Sequence, residues 1–201
     1  MQHKGRNLKL PSLVKGWFNP SLCPEQTLRQ YRKTGEVKHL EALCQMFNQS
    51  LFHYLLTQSN KETAEDVLQS SWEKIISYQR RMSIQDINED LHISVKSWLF
   101  TIARNTLIDE LRRQNKWQIE QIDLHEPKSI SLEKLVENSD QLARLNRAIG
   151  QLSFYQKEAF ILQQEGFSIA QISSLTDCDF ETAKSRLRYA RNNIRALVGL
   201  K

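Results

Sequence analysis

Apolar residues recur at helical spacing along most of this chain. Leu28 and Tyr31 begin a first short pattern that stops at a turn on Gly35. Leu40, Leu43, Phe47, Leu51 and the pair Tyr54/Leu55 then form one strong stripe. After Asn60 a new element starts, with Val67/Leu68, Trp72 and Ile75/Ile76 on its apolar face. A polar break over residues 79–94 separates it from a long predicted helix over 95–115, on which Leu99, Ile102 and Ala103 cluster. Further on, Leu142, Leu145, Ile149 and Leu152 lead to a turn at Ser153. Ala159/Phe160 and Leu162/Gln163 follow, and Gly166 ends that pattern. Ser168 is the predicted N-cap of a short amphipathic helix over 169–175. Thr176-Asp177-Cys178-Asp179 is a tight polar turn, and the last helix carries Ala183, Leu187, Ala190, Ile194 and Leu197 on one stripe. Strand-like alternation bounded by glycine is missing, and the 201 residues contain only 6 Gly.

Two stretches interrupt the periodicity. Residues 1–24 carry Pro11, Pro20 and Pro24 among scattered cations, which reads as a flexible arm with a helical turn near 13–18. Residues 116–140 hold Pro127 and the acids Asp123, Glu126, Glu133 and Glu137, with weak periodicity apart from a helical piece at 132–136. The expected architecture is therefore all-α. Two small helical domains, 25–115 and 141–201, are joined by a flexible linker, and the second contains a helix-turn-helix.

Charge and composition narrow the function. The net charge is +5, from 28 Lys and Arg against 23 Asp and Glu, so a nucleic-acid contact would be confined to patches. No apolar run nears the ~18 residues that suggest a membrane span, and the polar N-terminus lacks the core of a secretion signal. Cys23, Cys44 and Cys178 are odd in number and widely spaced, which fits a reducing cytoplasm better than a disulfide framework. Cys44 and His53 have no second matching pair, so no metal site is expected. No P-loop, GxGxxG or GxSxG pattern is present, and neither a cofactor nor a catalytic site is expected.

Chemistry concentrates in two islands. In the last helix, Lys184, Arg188, Arg191 and Arg195 line the edge beside the apolar stripe. A helix that docks by one edge and presents cations along the next is suited to lie against phosphate. Short helix, tight turn and basic helix together make the helix-turn-helix plan, whose second helix enters the major groove. A solvated basic helix closing an ordinary bundle would carry the same edge, so the second island decides between them. In the helix over 95–115, Asn105, Asp109 and Arg112 share a face at i, i+4, i+7 spacing. Amides and guanidinium groups on one face suit base edges and phosphates of melted DNA. Trp98, taken alone, reads as a core aromatic.

With these motifs in view, the chain resembles the sigma factors of bacterial RNA polymerase, in particular the small two-domain extracytoplasmic-function class. The resemblance rests on Ala64-Glu65-Asp66-Val67-Leu68-Gln69, on Trp98-Leu99-Phe100-Thr101-Ile102-Ala103-Arg104-Asn105 with Ile108-Asp109 and Arg112-Arg113, and on Thr182-Ala183-Lys184-Ser185-Arg186-Leu187. It covers roughly residues 25–198. The resemblance implies that Asp66, Gln69 and Trp72 bind core RNA polymerase. It implies that Asn105, Asp109, Arg112 and Arg113 approach the −10 strand, with the 79–94 break in the place of a base-capturing loop. Thr182, Lys184, Ser185, Arg186, Arg188 and Arg191 fall to −35 recognition. Core polymerase, promoter DNA and an anti-sigma factor are the implied partners, in the cytoplasm and without stable membrane insertion.

Some residues depart from the family pattern. Asp177 stands where the turn usually has Gly, at a position that calls for positive φ, and Asp tolerates that better than most residues. Tyr189 replaces a frequent Arg, and Ala183 a more usual Val. A dimeric helix-turn-helix regulator is the alternative within DNA binding, but it needs neither of the two upstream motifs. An enzyme would need ligand clusters or nucleophile motifs that are missing here.

Overall fold

The computed structural model describes residues 23–79, 94–114 and 140–198. The expected helical turn near 13–18, the interior of the 79–94 break and the piece at 132–136 lie outside them. The described residues form α1 (Pro24–Thr34), α2 (Val37–Gln58), α3 (Lys61–Gln79), α4 (Val95–Arg113), α5 (Asp140–Gly150), α6 (Phe154–Gln164), α7 (Ile169–Thr176) and α8 (Phe180–Val198), and no strand occurs among them. The expected helix over 95–115 ends two residues earlier, at Arg113.

Local chemistry sets the helix ends. Pro24 opens α1, where a missing N–H costs nothing and the fixed φ suits a first turn. Gly35 closes it at φ 69°, donating its N–H to the Tyr31 carbonyl. The Asn60 side chain accepts the Thr63 N–H at 2.8 Å at the head of α3, and Ser94 accepts that of Ser97 at the head of α4. Gly166 turns the chain after α6 at φ 92°, and the N–H of Phe167 reaches back to the Leu162 carbonyl.

Helices α1–α4 form one unit. The α2 stripe predicted from spacing is buried, with Leu43, Leu51, Tyr54 and Leu55 almost fully enclosed against α1, α3 and α4. Each such side chain contributes about 1.5–3 kcal/mol by leaving water. In the second unit α5, α6 and α7 all pack on α8 through Ala183, Leu187, Ala190 and Ile194. Leu197, on the same stripe by spacing, is 48% exposed. It sits in the last turn of α8, where the apolar stripe ends in solvent.

The two units also pack on each other, α2 against α6 and α4 against α7. Phe100 of α4 is buried between Tyr54 of α2 and Phe167, with ring centroids at 5.5 and 5.0 Å. The buried residues of both units form one continuous apolar cluster.

Candidate nucleic-acid interface

Helix α8 follows a helix-turn-helix corner whose geometry is set residue by residue. Ser168 and Gln171 form a reciprocal capping box at the start of α7. Asp177 ends α7 at φ 51°, ψ 52°, the left-handed conformation expected for it, and is the one non-glycine residue with positive φ among those described. Asp179 then starts α8, accepting the Thr182 backbone N–H at 2.7 Å and the Thr182 hydroxyl at 2.8 Å. Hydrogen bonding from the Thr182 N–H holds the Asp179 carboxyl below its usual range.

Burying Ala183, Leu187, Ala190 and Ile194 leaves the neighbouring edge of α8 facing outward. Lys184, Arg188, Arg191 and Arg195 are all exposed, as their register requires. Lys184 is paired with Glu181 at 3.1 Å, an exposed contact worth at most about 1 kcal/mol and easily exchanged for a phosphate. Arg191 donates to the Gln163 side chain of α6 at 2.6 Å. Ser185 is half-exposed beside Arg188 and Tyr189. Arg186 behaves differently from its neighbours: its guanidinium lies 4.3 Å from the centre of the Tyr155 ring on α6, drawn to the side of the helix away from Lys184. Thr182 likewise spends its hydroxyl on the cap. The α8 residues expected at −35 thus divide into outward-facing Lys184, Ser185, Arg188 and Arg191, and side-held Thr182 and Arg186.

The residues expected at −10 and at the polymerase lie together on the first unit. Asn105, Asp109, Arg112 and Arg113 are exposed on α4, and Asp66 and Gln69 are exposed on α3. Lys74 of α3 joins the two helices, donating to the Thr106 hydroxyl at 3.1 Å and standing 3.7 Å from Asp109. Arg113 is gripped by Glu110 through two bonds of 2.8 and 2.7 Å. That bonding raises the Arg113 pKa, and the charge of Asp66 on α3 adds to the effect. Gln69 donates to Glu73 at 3.0 Å, and Trp72 is half-buried with its indole N–H on the Asn48 side chain. Trp98, expected in the core, is half-buried with Arg32 5.1 Å from its ring centre.

Periodicity did not reveal the polar groups between the units. Glu158 of α6 is fully buried and accepts the Tyr54 hydroxyl at 2.8 Å and the Arg104 Nε at 2.8 Å. Nearby, Lys96 donates to the carbonyl and carboxylate of Glu165, and His53 lies 3.7 Å from that carboxylate. Burial pushes the Glu165 carboxyl up, but His53, Lys96 and Ser50 together bring it below its usual value. A sequence signal was present: Glu158 has Phe154 and Leu162 at i−4 and i+4, and Arg104 has Phe100 and Ile108. A charge set between apolar neighbours on its own face is seldom buried without a partner.

Among the described residues no group of three or more His, Cys, Asp or Glu could hold a metal ion, and no helix is long and apolar enough to cross a membrane. The sigma-70 region 2 family description matches residues 47–117, and that of sigma-70 region 4 matches residues 142–194. The chain belongs to the extracytoplasmic-function sigma factors. As a sigma factor it is a non-enzymatic initiation factor that gives RNA polymerase its promoter recognition. It is 28% identical over 138 residues to the ECF RNA polymerase sigma factor RpoE of Cereibacter sphaeroides, covering 67% of this chain and 70% of the relative. It is 24% identical over 163 residues to the ECF sigma factor SigC of Mycobacterium tuberculosis, covering 81% and 84%. Its fold is similar to that of the sigma factor RpoE solved with the anti-sigma factor NepR from Bartonella quintana. That comparison has a TM-score of 0.63 and 25% identity over 82% of this chain and 99% of the other. The fold is also shared with CnrH, solved with the cytosolic domain of CnrY, at a TM-score of 0.60 and 16% identity over 88% and 98% of the chains.

Proposed function

We propose that this sigma factor divides its work among three exposed helix faces. Helix α8 reads the −35 element, with Lys184 and Ser185 nearest the bases and Arg188 and Arg191 on phosphates. Thr182 and Arg186 support that surface from the side. Asn105, Asp109, Arg112 and Arg113 on α4 act on the −10 strand, and Asp66, Gln69 and Trp72 on α3 dock on core polymerase. The observation that carries this reading is the orientation of α8. Its apolar stripe is enclosed by α5, α6 and α7, which leaves a row of cations facing outward. The protein works in the cytoplasm and is held in check by an anti-sigma protein. The solved sigma factor RpoE captured with the anti-sigma factor NepR supports that last point.

Run-off transcription with purified core polymerase tests the assignment. The expected result is initiation at discrete promoters whose use depends on both elements, with α8 variants altering −35 preference and α4 variants altering −10 use. Tight sequence-specific binding by the isolated protein, with no effect on polymerase, would favour a dimeric regulator instead.

A further inference from the structure

The buried stripe of α8 fixes which residues face directly away from the core. At about 3.6 residues per turn, the side opposite Ala183, Leu187, Ala190 and Ile194 is centred on Ser185 and Asn192. Glu181 and Arg188 lie to one side of that centre and Tyr189 to the other, while Lys184, Arg191 and Arg195 stand further round, on the edge. Glu181, Ser185 and Tyr189 line one open depression beside the head of α6. The Glu181 side chain is 72% exposed and Tyr189 is 51% exposed. Neither is a packing residue, and neither belongs to the cationic row.

If α8 reads the −35 element, the proposal on which this inference rests, its first turns enter the major groove. A carboxylate there can only accept hydrogen bonds. Guanine presents two acceptors in that groove and thymine one, and adenine sets its N7 acceptor beside its amino group. Cytosine alone offers an amino donor with no acceptor of its own beside it. Lys184 adds a second feature that suits a C·G pair. Its ammonium reaches both Glu181 oxygens at 3.1 Å, which leaves the third N–H free to donate, so acceptor and donor stand side by side. The C·G pair shows the complementary order, a cytosine amino group next to guanine O6. Lys184 also offsets the repulsion between the carboxylate and the phosphates, which would otherwise keep an acid out of the groove.

Tyr189 stands eight residues further on, about 12 Å along the axis at roughly 1.5 Å per residue. That is about three to four base steps at roughly 3.4 Å each. The Arg188 guanidinium lies 5.2 Å from the centre of its ring, which keeps the ring beside the groove. An uncharged ring has no paired donors for guanine, and the base feature it can cover is the thymine methyl group. We propose that Glu181 and Tyr189 set the sequence preference of α8. Glu181, held by Lys184, selects a C·G pair, and Tyr189 selects a thymine within about four base pairs of it.

A promoter library randomised through the −35 element, transcribed by reconstituted holoenzyme and read by sequencing the transcripts, tests this. Wild type should enrich one C·G pair and one nearby thymine. Glu181→Ala should lower the preference for that cytosine by about tenfold and leave the other positions unchanged. Glu181→Gln should move the preference toward adenine, whose amino group and N7 an amide can pair together. Tyr189→Ala should lower the preference for thymine by about threefold, and Tyr189→Phe should keep it. Base analogues read the contacts directly, since 2-pyrimidinone lacks the cytosine amino group and uracil lacks the thymine methyl. Each analogue should cost wild type what the matching alanine variant loses, and cost that variant nothing further. Each variant decides its own residue, and an even loss across all positions or an unchanged enriched sequence overturns the role assigned to it. If Ser185→Ala shifts the preference and no Glu181 or Tyr189 variant does, this inference falls while α8 remains the −35 reader. A wild type indifferent to every −35 base overturns both.

Discussion

Asp179 holds Thr182 by two bonds at once, to its backbone N–H at 2.7 Å and to its hydroxyl at 2.8 Å. This fixes the first turn of α8 at the point where the chain leaves the left-handed Asp177. Asp179→Ala should lower the thermal midpoint by a few degrees, whereas Asp179→Asn, still an acceptor, should stay close to wild type. The carboxyl is held below its ordinary value, so its stabilising charge is complete above the ordinary aspartate range and is lost as pH falls through the lowered value. Equal midpoints for the Ala and Asn variants would show that the cap does not stabilise α8.

The contrast between Arg188 and Arg186 gives a second prediction. Arg188 faces outward, so Arg188→Ala should weaken binding to all promoter sequences and reduce the slope of log affinity against log salt by about 1. Arg186 rests on Tyr155, so Arg186→Lys should lose that stacking and behave unlike a conservative change. Replacing Ser185 or Lys184 should shift preference at one base pair by about 1–3 kcal/mol. A promoter-mutation series on the reconstituted holoenzyme measures all of these. A uniform response across the four positions would remove the proposed division between outward and side-held residues.

Local rules make α7 and its flanks legible in the sequence. Ser168 is a cap because a serine precedes an apolar period, and Asp177 takes the positive φ of the turn between α7 and α8, a conformation that Asp tolerates better than most residues. Leu197 shares the stripe yet is exposed, because helical spacing says which side a residue shares, not how far its neighbours extend along it. The link from Tyr54 to Glu158 spans 104 residues, and that from Arg104 to Glu158 spans 54. No period of 3.6 residues encodes such pairings. Only the anomaly of charges on apolar faces hinted at them. The packing of the two units was hidden for the same reason, since acidic composition and Pro127 in residues 116–140 suggest separation and say nothing about what the domains offer each other.

Asp177 invites a substitution in the favourable direction. Its left-handed backbone costs an L-residue on the order of 1 kcal/mol, less for Asp than for most. Asp177→Gly removes that strain but adds freedom to the unfolded chain, so its net effect should lie within about 1 kcal/mol of zero. Asp177→Val, β-branched and without a local acceptor, should destabilise by more than 1 kcal/mol, roughly. Chemical denaturation of the three proteins tests this, with Gly expected close to Asp and Val below both. Val equal to Asp would mean that the turn relaxes into another conformation.

Trp72 and Asn48 fix the α3 surface that is proposed to meet polymerase. The indole N–H is bonded to Asn48, so the ring is oriented, with one side left partly open beside exposed Gln69. Reversing the charge of Asp66 with Gln69→Ala should weaken the complex with core polymerase by about 2–4 kcal/mol, the range for losing a central interface anchor. Asn48→Ala should weaken it less, by freeing the ring without removing it. Unchanged affinity in a correctly folded double variant would move the polymerase contact to another face.

The hydroxyl of Tyr54 makes alkaline pH a probe of the contact between the units. Burial is the main cause of its raised pKa. The negative charge of Glu158 from α6 adds to this, the positive charge of Arg104 from α4 opposes it, and the hydrogen bond to Glu158 raises it further. Arg104 stays charged throughout, because Glu158 more than offsets the effect of burial on its guanidinium. In the unfolded chain tyrosine ionises near pH 10, roughly, while in the fold Tyr54 does so only well above that value. Its contribution is therefore complete below about pH 10 and falls as pH rises beyond it, by up to roughly 1.4 kcal/mol per pH unit. Urea unfolding of wild type and Tyr54→Phe across this range isolates the effect, since the lysines and other tyrosines common to both cancel in the difference. The wild type should lose its advantage above about pH 10, and parallel curves would mean that Tyr54 reaches solvent and that the contact with Glu158 does not hold in solution.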